Sequence, residues 1–206
     1  MIKLYSTGNR LYPNNLKILL TLAEADASHE YVVVDFSKGE HRQPSFLAIN
    51  PHGKTPAFTD GEVKLGESNA IMWYIAEKFP AAKLLPEDAG GRAQVLQYCD
   101  FSATYLIANI YDLANHTISW SPADRSADIA ERARVGLERA LGVLENVLAG
   151  SEYVTGRFSI ADLACAASIR YLLERLPQYA ELKPATQRWY QRMTERKAWK
   201  QVALGS

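Results

Sequence analysis

The segment from residue 50 to residue 71 constrains the fold of this chain most strongly. It reads Asn-Pro-His-Gly-Lys-Thr-Pro-Ala-Phe-Thr-Asp-Gly-Glu-Val-Lys-Leu-Gly-Glu-Ser-Asn-Ala-Ile. Asp60-Gly61 separates two short apolar runs, and glycine tolerates the positive φ that a tight turn between antiparallel strands requires. We therefore predict a hairpin with Phe58 and Leu65 on paired strands. Pro56 has no N–H for a strand ladder, so we expect it at a strand start or edge, where a trans or a cis bond is allowed.

The hairpin is followed directly by a helix start. Ser68 is predicted as the N-cap of this helix, with Glu67 just before it. A helix N-terminus offers free N–H groups and a partial positive charge, so this corner can hold a carboxylate. Because Glu67 stands beside it and can take an ammonium, the two residues together suit the amino-acid end of a ligand.

These residues resemble the glutathione-binding half of the cytosolic glutathione transferase superfamily. The likeness rests on Asn-Pro-x-Gly-Lys-x-Pro at residues 50–56 and on Glu-Ser-x-Ala-Ile at residues 67–71, at the spacing that the family shows. It extends over nearly the whole chain and is closest to bacterial members of the nu, phi and beta types. The resemblance implies a thioredoxin-like N-terminal domain, an all-helical C-terminal domain and glutathione as co-substrate.

The first part of the chain carries the pattern of a β-α-β unit. Residues 2–6 are predicted as a strand and residues 16–25 as a helix, because leucine and alanine recur there at helical spacing. Residues 31–34 are Tyr-Val-Val-Val, a continuous run of strand-favouring residues that is typical of a strand covered on both faces. The crossover should be right-handed and the strands parallel. With the hairpin and a helix over residues 68–79, the predicted order is β-α-β-α-β-β-α, an α/β domain followed by an all-α one.

Two prolines mark the expected domain boundary. We predict a glutathione-binding domain over residues 1–80, a linker over 81–86 and a helical domain with the second-substrate pocket over 87–206. The helices expected in the second domain cover about 88–115, 126–148, 160–169 and 184–198. Ser159 and Asp162 form an S-x-x-D cap before the third of these, and we exclude both from the site because such a cap serves folding.

Charge and cysteine content exclude several functions. Lys plus Arg and Asp plus Glu both number 23, so no net field favours nucleic acid or an acidic membrane surface. No apolar run approaches the ~18 residues of a membrane span, and the N-terminus enters a strand pattern without a signal-peptide region. Cys99 and Cys165 form no Cys-x-x-Cys pair, which leaves no case for a disulfide framework or a metal site. A cytoplasmic protein without metal is expected.

Glutathione presents three polar parts, and the chain offers a partner for each. Glu67 and Ser68, with the helix N-terminus, suit the γ-glutamyl group, although Ser68 alone is equally typical of an ordinary cap. As the resemblance implies, the backbone of Thr55, exposed by Pro56, pairs with the cysteinyl unit. Lys54 and His41, with Arg42, resemble positions that hold the glycine carboxylate in phi-like members; solvated surface charge is the other interpretation of His41.

The activator of the thiol has three candidates. A free thiol has a pKa near ~8.5, and lowering it by about two units takes roughly 2.7 kcal/mol of thiolate stabilisation. Tyr12-Pro13-Asn14-x-x-Lys17-Ile18 resembles the nu-class pattern, which puts Asn14 on the asparagine of that family. Tyr12 replaces the nu-class threonine and also falls where phi-like and beta-like members have serine or cysteine. Ser6 is the third choice. The ordinary roles are a helix cap for Asn14, a packing side chain for Tyr12 and a strand end for Ser6.

A pocket for the second substrate is expected in the helical domain. Tyr105, Tyr111 and His116 lie in the right part of the chain to line it, although aromatic residues at helical spacing usually belong to the core. Arg132 resembles a nu-class position that faces bound glutathione, but Glu-Arg pairs such as Glu131-Arg132 are also common on helix surfaces.

The sequence favours three functions in order. The first is conjugation of the glutathione thiol to a small apolar electrophile. The second is glutathione-dependent reduction of a disulfide or peroxide of the nu-class type, since two glutathione molecules supply both sulfurs where no protein cysteine is near. The third is a non-catalytic binding or regulatory protein. The family, and long helices that need apolar partners, predict a homodimer.

Overall fold

The computed structural model describes residues 1–10 and 12–203. The chain divides into two compact units. The first comprises Met1–Leu85 together with the chain from Lys197, and the second comprises Pro86–Arg196.

A four-stranded mixed sheet forms the centre of the first unit. Its strands are β1 (Ile2–Ser6), β2 (His29–Val33), β3 (Ala57–Asp60) and β4 (Val63–Leu65), in the spatial order β2-β1-β3-β4. β1 is parallel to β2 and antiparallel to β3, and Phe58 pairs with Leu65 across the hairpin as predicted. Gly61 has the positive φ of +60° that the turn requires.

The second strand differs from its predicted environment. We expected β2 to be covered on both faces, but it is an edge strand, and Val33 is 56% exposed. The apolar run at residues 31–34 was a misleading signal, because its last residue lies outside the strand. Val34 follows β2, is only 5% exposed and is the buried residue of the run.

Helices α1 (Pro13–Glu24), α2 (Pro44–Leu47) and α3 (Ser68–Lys78) complete the predicted order of this unit. α1 begins three residues earlier than expected because Pro13 takes the first helical position, where its fixed φ is already helical and no N–H is needed. Side chains of α1, α3 and the sheet are completely buried, among them Leu4, Leu16, Leu20, Phe58 and Ile71.

The second unit is entirely helical. It contains α4 (Ala89–Phe101), α5 (Ala108–Ala114), α6 (Ala127–Ala149), α7 (Ile160–Arg175) and α8 (Pro184–Glu195). The single helix expected over residues 88–115 contains a π-helical segment at Ser102–Ile107, and a second one, Asn115–Ser119, follows α5. Such segments are frequent at functional sites, and the sequence pattern did not reveal them.

The predicted cap of α7 is confirmed. Ser159 and Asp162 form a reciprocal capping box, and both are completely buried. The Asp162 carboxylate also accepts hydrogen bonds from the Val154 backbone N–H (3.0 Å) and from Trp189 Nε1 (2.9 Å). One side chain therefore joins the preceding loop, α7 and α8.

The C-terminal helix belongs to the first unit. We expected one helix to Ala198 within the helical domain, but α8 ends at Glu195, Arg196 is extended, and α9 (Lys197–Ala203) packs on α1. Ala198 and Trp199 are buried there, at 5% and 3% exposed. Within the described ranges, none of the helices has both the length and the apolar content needed to cross a bilayer.

Candidate functional site

The first turns of α1 and α3 meet through polar side chains. Asn14 is the second residue of α1, Ser68 is the first residue of α3, and the Ser68 hydroxyl donates to Asn14 Oδ1 at 3.3 Å. The expected N-cap at Ser68 is wrong by one position: Glu67 occupies the cap position and makes no side-chain cap bond. The serine hydroxyl is therefore directed at Asn14, so one candidate for thiol activation contacts one for glutathione binding.

A second polar contact lies one turn along α1. Lys17 is only 3% exposed, and its Nζ donates to Asn69 Oδ1 at 2.6 Å. Burial of an ammonium is costly without such partners. The two contacts fix the start of α3 against the first turns of α1. The sequence did not predict Asn69 as part of the site. The one signal that pointed to this contact was Lys17, which follows Asn14 by three residues.

The other two candidates for the thiol occupy different environments. Ser6 is completely buried at the end of β1, and its hydroxyl donates to Asn15 Oδ1. Tyr12 is 41% exposed at the N-cap position of α1, and its backbone carbonyl accepts the N–H groups of Asn15 (2.9 Å) and Leu16 (2.8 Å). Of these two side chains, Tyr12 is the one at the surface.

The loop before β3 is shaped by a buried asparagine. Asn50 is 1% exposed; its Nδ2 donates to the Lys54 carbonyl at 2.6 Å and its Oδ1 accepts the His52 N–H at 3.2 Å. The peptide bond between Thr55 and Pro56 is cis. A Cβ on Gly66 would lie 2.6 Å from Asn50 Oδ1, so this loop passes directly beside the residue that precedes Glu67. Glu67 and Lys54 are both exposed.

His41 adjoins the same loop. It lies in a short 3₁₀ turn, Glu40–Arg42, and its ring stacks on Phe36 with centroids 4.1 Å apart. A Cβ on Gly53 would be 3.1 Å from the His41 carbonyl oxygen, which shows how closely the two segments approach. Nδ1 of His41 is buried and finds no hydrogen-bond partner within the described part of the chain. The order in space is thus His41, the 50–56 loop, Glu67 with Ser68, and Asn14.

The candidates in the second unit separate into different surfaces. Tyr111 packs edge-on against Tyr171, with ring centroids 5.5 Å apart. Tyr105 is 57% exposed and lies beside Phe101. His116 Nδ1 accepts the Ser126 N–H at 3.0 Å, a contact that requires an unprotonated Nδ1 and leaves Nε2 as the donor.

One pocket of the second unit collects polar candidates. It measures about 370 Å³, and its lining consists of Asn109, Asp112, His116, Ile129, Arg132 and Ala133. Arg132 is exposed, and its Nε donates to the Asp128 carbonyl at 3.4 Å. The structure therefore brings His116 and Arg132 together in one pocket and puts Tyr105 and Tyr111 elsewhere. Nowhere in the described chain do three or more His, Cys, Asp or Glu side chains cluster as a metal ion would require.

Comparison with known proteins covers both units. Residues 2–77 match the family profile described as glutathione S-transferase, N-terminal domain, and residues 103–197 match the one described as glutathione S-transferase, C-terminal domain. Glutathione S-transferase F10 of Arabidopsis thaliana is 36% identical over 202 residues, which cover 94% of this chain and 93% of that protein.

Solved structures agree with the sequence comparison. Glutathione transferase URE2P6 from Phanerochaete chrysosporium, in complex with oxidized glutathione, has a TM-score of 0.87 at 28% identity and covers 99% of this chain and 95% of its own. A glutathione transferase family member from Pseudomonas fluorescens, with two glutathione bound, has a TM-score of 0.85 at 27% identity. The match covers 98% of this chain and 91% of that one. The sequence relative and the solved structures are therefore all glutathione transferases, and each match covers at least 94% of this chain.

Proposed function

This chain belongs to the glutathione S-transferase family, and from that premise we propose how it acts. It is a transferase with glutathione as co-substrate. We propose that it conjugates the glutathione thiol to a small, apolar electrophile. The observation that carries this proposal is the hydrogen bond between Ser68 and Asn14, because it joins the residue proposed for the γ-glutamyl group to the residue proposed for the thiol.

The proposed glutathione site runs along the first unit. Glu67 takes the ammonium of the γ-glutamyl group, and Ser68 with the first N–H groups of α3 takes its carboxylate. The backbone of Thr55, ahead of Pro56, pairs with the cysteinyl unit. Lys54 and His41 take the glycine carboxylate. The close approach of Gly53 to His41, and of Gly66 to Asn50, supports this order because both contacts hold neighbouring parts of the proposed site together.

Asn14 is the proposed activator of the thiol. Since its Oδ1 accepts the Ser68 hydroxyl proton, the amide Nδ2 is the group that donates to the sulfur. A hydrogen bond to a charged group contributes about 1.5–3 kcal/mol, which corresponds to a thiol pKa about one to two units lower. Tyr12 and Ser6 are the second and third choices. Ser6 ranks last because its hydroxyl is buried and donates to Asn15.

In the proposed reaction the thiol loses its proton to solvent and the thiolate attacks the electrophilic carbon of the second substrate. A sulfur–carbon bond forms, and the leaving group departs with the electron pair of the bond that breaks. His116 is the proposed second-substrate residue, because it shares a pocket with Arg132, the further polar contact proposed for glutathione. Tyr105 and Tyr111 lie outside that pocket, so their role as second-substrate residues stays a prediction.

A second candidate is reduction of a disulfide. It is favoured by one specific observation: the neighbour from Pseudomonas fluorescens has two glutathione bound and the one from Phanerochaete chrysosporium holds oxidized glutathione. One glutathione thiolate would attack the substrate disulfide, form a mixed disulfide and release a thiolate. The second glutathione would attack that mixed disulfide, which releases the other substrate thiol and gives oxidised glutathione.

Titration calorimetry and two assays distinguish the candidates. Binding of reduced glutathione is expected, together with turnover of an activated aryl halide. Binding of oxidised glutathione with turnover of a small dialkyl disulfide, and none of the aryl halide, would favour the second candidate. Failure to bind either form of glutathione would overturn both and favour a non-catalytic role.

We also propose that the protein is a cytoplasmic homodimer. Phe101, Tyr105, Ala140 and Val143 line an apolar groove of about 370 Å³ in the second unit, and such a surface suits a second copy of the chain. Cys99 and Cys165 are both buried, and no disulfide joins them in the described part of the chain, which is usual for proteins of a reducing compartment.

A further inference from the structure

We propose that Asn15 is a positioning residue that holds Asn14 in place for the glutathione thiolate. This inference rests on the proposed role of Asn14. Asn15 is 3% exposed, so its side chain acts through protein groups and not by contact with substrate. It was not among the residues that the sequence pattern singled out for the site.

The Asn15 amide joins three parts of the chain. Its Oδ1 accepts the hydroxyl proton of Ser6 at the end of β1, and its Nδ2 donates to the Asn9 carbonyl in the following loop at 2.9 Å. Its own backbone N–H donates to the Tyr12 carbonyl at 2.9 Å. Because one side of the amide must accept and the other must donate, these partners determine the orientation of the group. The strand end, the loop and the first helical turn are thereby connected through one side chain.

The position of Asn15 in the chain gives it direct influence on Asn14. The two residues are adjacent in the first turn of α1, so a shift of the Asn15 backbone moves the Asn14 amide. Asn14 is also held from the other side by the Ser68 hydroxyl. A displacement of about 1 Å in a catalytic group can reduce the rate by about a hundredfold, so loss of one of these two supports should affect the thiol.

The far end of the loop has an anchor of its own. The Tyr31 hydroxyl donates to the Thr7 carbonyl at 2.6 Å, and the Arg10 guanidinium lies 4.8 Å from the centre of the Tyr31 ring. Burial raises the pKa of Tyr31, against the opposing effects of Ser6 and Arg10, so its hydroxyl stays protonated and can donate. Tyr31 therefore fixes the loop at Thr7. The specific role that we propose for Asn15 is to hold the end of the loop that leads into α1.

The test is the thiol pKa of bound glutathione in Asn15→Leu, which keeps the branching of the side chain at Cγ and removes both hydrogen bonds. We expect the pKa to rise by about one unit, from about 6.5 to about 7.5, so that the thiolate fraction and kcat at pH 7 fall about threefold, with little change in KM for glutathione. At a pH well above the thiol pKa, kcat should recover because the thiol is then ionised without help. A merely structural loss would lower activity equally at every pH.

Three further variants make the outcome decisive. Thr21→Val is the matched control, because it removes a buried hydroxyl bond within α1, to the Lys17 carbonyl at 2.7 Å, without touching the loop; its thiol pKa should equal that of the wild type. Ser6→Ala removes the Asn15 partner on β1 and should raise the thiol pKa by itself, which tests the connection even if Asn15→Leu fails to fold. Where Asn15→Leu folds, the effect of Ser6→Ala should vanish in that background. An additive effect there would mean that Ser6 acts on the thiol directly, and would overturn the proposal.

Asn14→Ala separates the two levels of inference. If Asn14→Ala raises the thiol pKa while Asn15→Leu and Ser6→Ala leave it unchanged, the positioning role of Asn15 is wrong and the role of Asn14 stands. If Asn14→Ala itself has no effect on the pKa, the proposed activator is wrong and the positioning role fails with it.

Discussion

At the scale of single residues, the proposed site depends on a contact between Asn14 and Ser68, which are 54 positions apart in the chain. This contact orients the Asn14 amide, since the oxygen faces Ser68 and the nitrogen is left as the proposed donor to the thiol. In the proposed site, the residue that activates the thiol is thereby linked to one that binds the γ-glutamyl group. Mutation of Asn14 should therefore act mainly on the thiol pKa, whereas mutation of Ser68 should act mainly on the affinity for glutathione.

Asn14→Ala should raise the pKa of bound glutathione by about one to two units and lower turnover at neutral pH, because a charge-assisted hydrogen bond is lost. Tyr12→Phe should do little. Thiolate absorbance followed against pH measures both. The opposite pattern, with Tyr12→Phe raising the pKa and Asn14→Ala leaving it unchanged, would move the role to Tyr12. If neither variant moves the pKa, Ser6 is the next residue to replace.

Glu67→Ala and Ser68→Ala should both weaken glutathione binding without unfolding the protein. Glu67 is exposed, so its removal costs ligand affinity and not core packing, and loss of a bond to a charged group typically costs about 1.5–3 kcal/mol. Ser68→Ala should in addition raise the thiol pKa, because the Asn14 amide loses its partner. Calorimetric affinities unchanged in both variants would show that glutathione binds elsewhere.

At the scale of elements, the start of α7 depends on one buried carboxylate. Burial raises the pKa of Asp162 to about 6 from an ordinary value of 3.8, against opposing hydrogen bonds from Val154, Trp189 and Ser159. The folded state therefore binds this proton more tightly than the unfolded state. The contribution of Asp162 to stability is greatest below about pH 4 and declines as the pH rises to about 6.

The expected size of this decline is about 3 kcal/mol, from a difference of about two pKa units. Urea unfolding of the wild type and of Asp162→Asn at pH 4 and pH 7 measures it. The stability difference between the two proteins should be larger at pH 4, because asparagine does not titrate. A difference that is the same at both pH values would show that the carboxylate keeps its ordinary pKa in the fold.

At the scale of the whole molecule, the apolar groove beside α6 predicts association. Sedimentation equilibrium should give twice the chain mass of 23.0 kDa. Val143→Glu puts a charge at a position that is 45% exposed in this groove, and should shift the mass toward one chain. Glu138→Gln, an exposed position of the same helix outside the groove, is the control and should remain dimeric. A concentration-independent mass of one chain for the wild type would contradict the prediction.

The sequence alone determined the features that depend on neighbours along the chain. The Phe58 and Leu65 pairing follows from a two-residue turn, and the Ser159 and Asp162 cap from a spacing of three, so both are encoded within a few residues. The order of strands and helices followed from hydrophobic periodicity in the same way. The motif at residues 50–71 then identified the family.

The tertiary structure alone decided which distant side chains meet. Hydrogen bonds such as Ser68 to Asn14 and Lys17 to Asn69 depend on how α1 and α3 pack, which no local pattern records. The same reason explains the exposure of β2, which depends on its place at the sheet edge, and the packing of α9 on α1. Local propensity sets what each segment forms, whereas burial of the shared core sets which polar groups become partners.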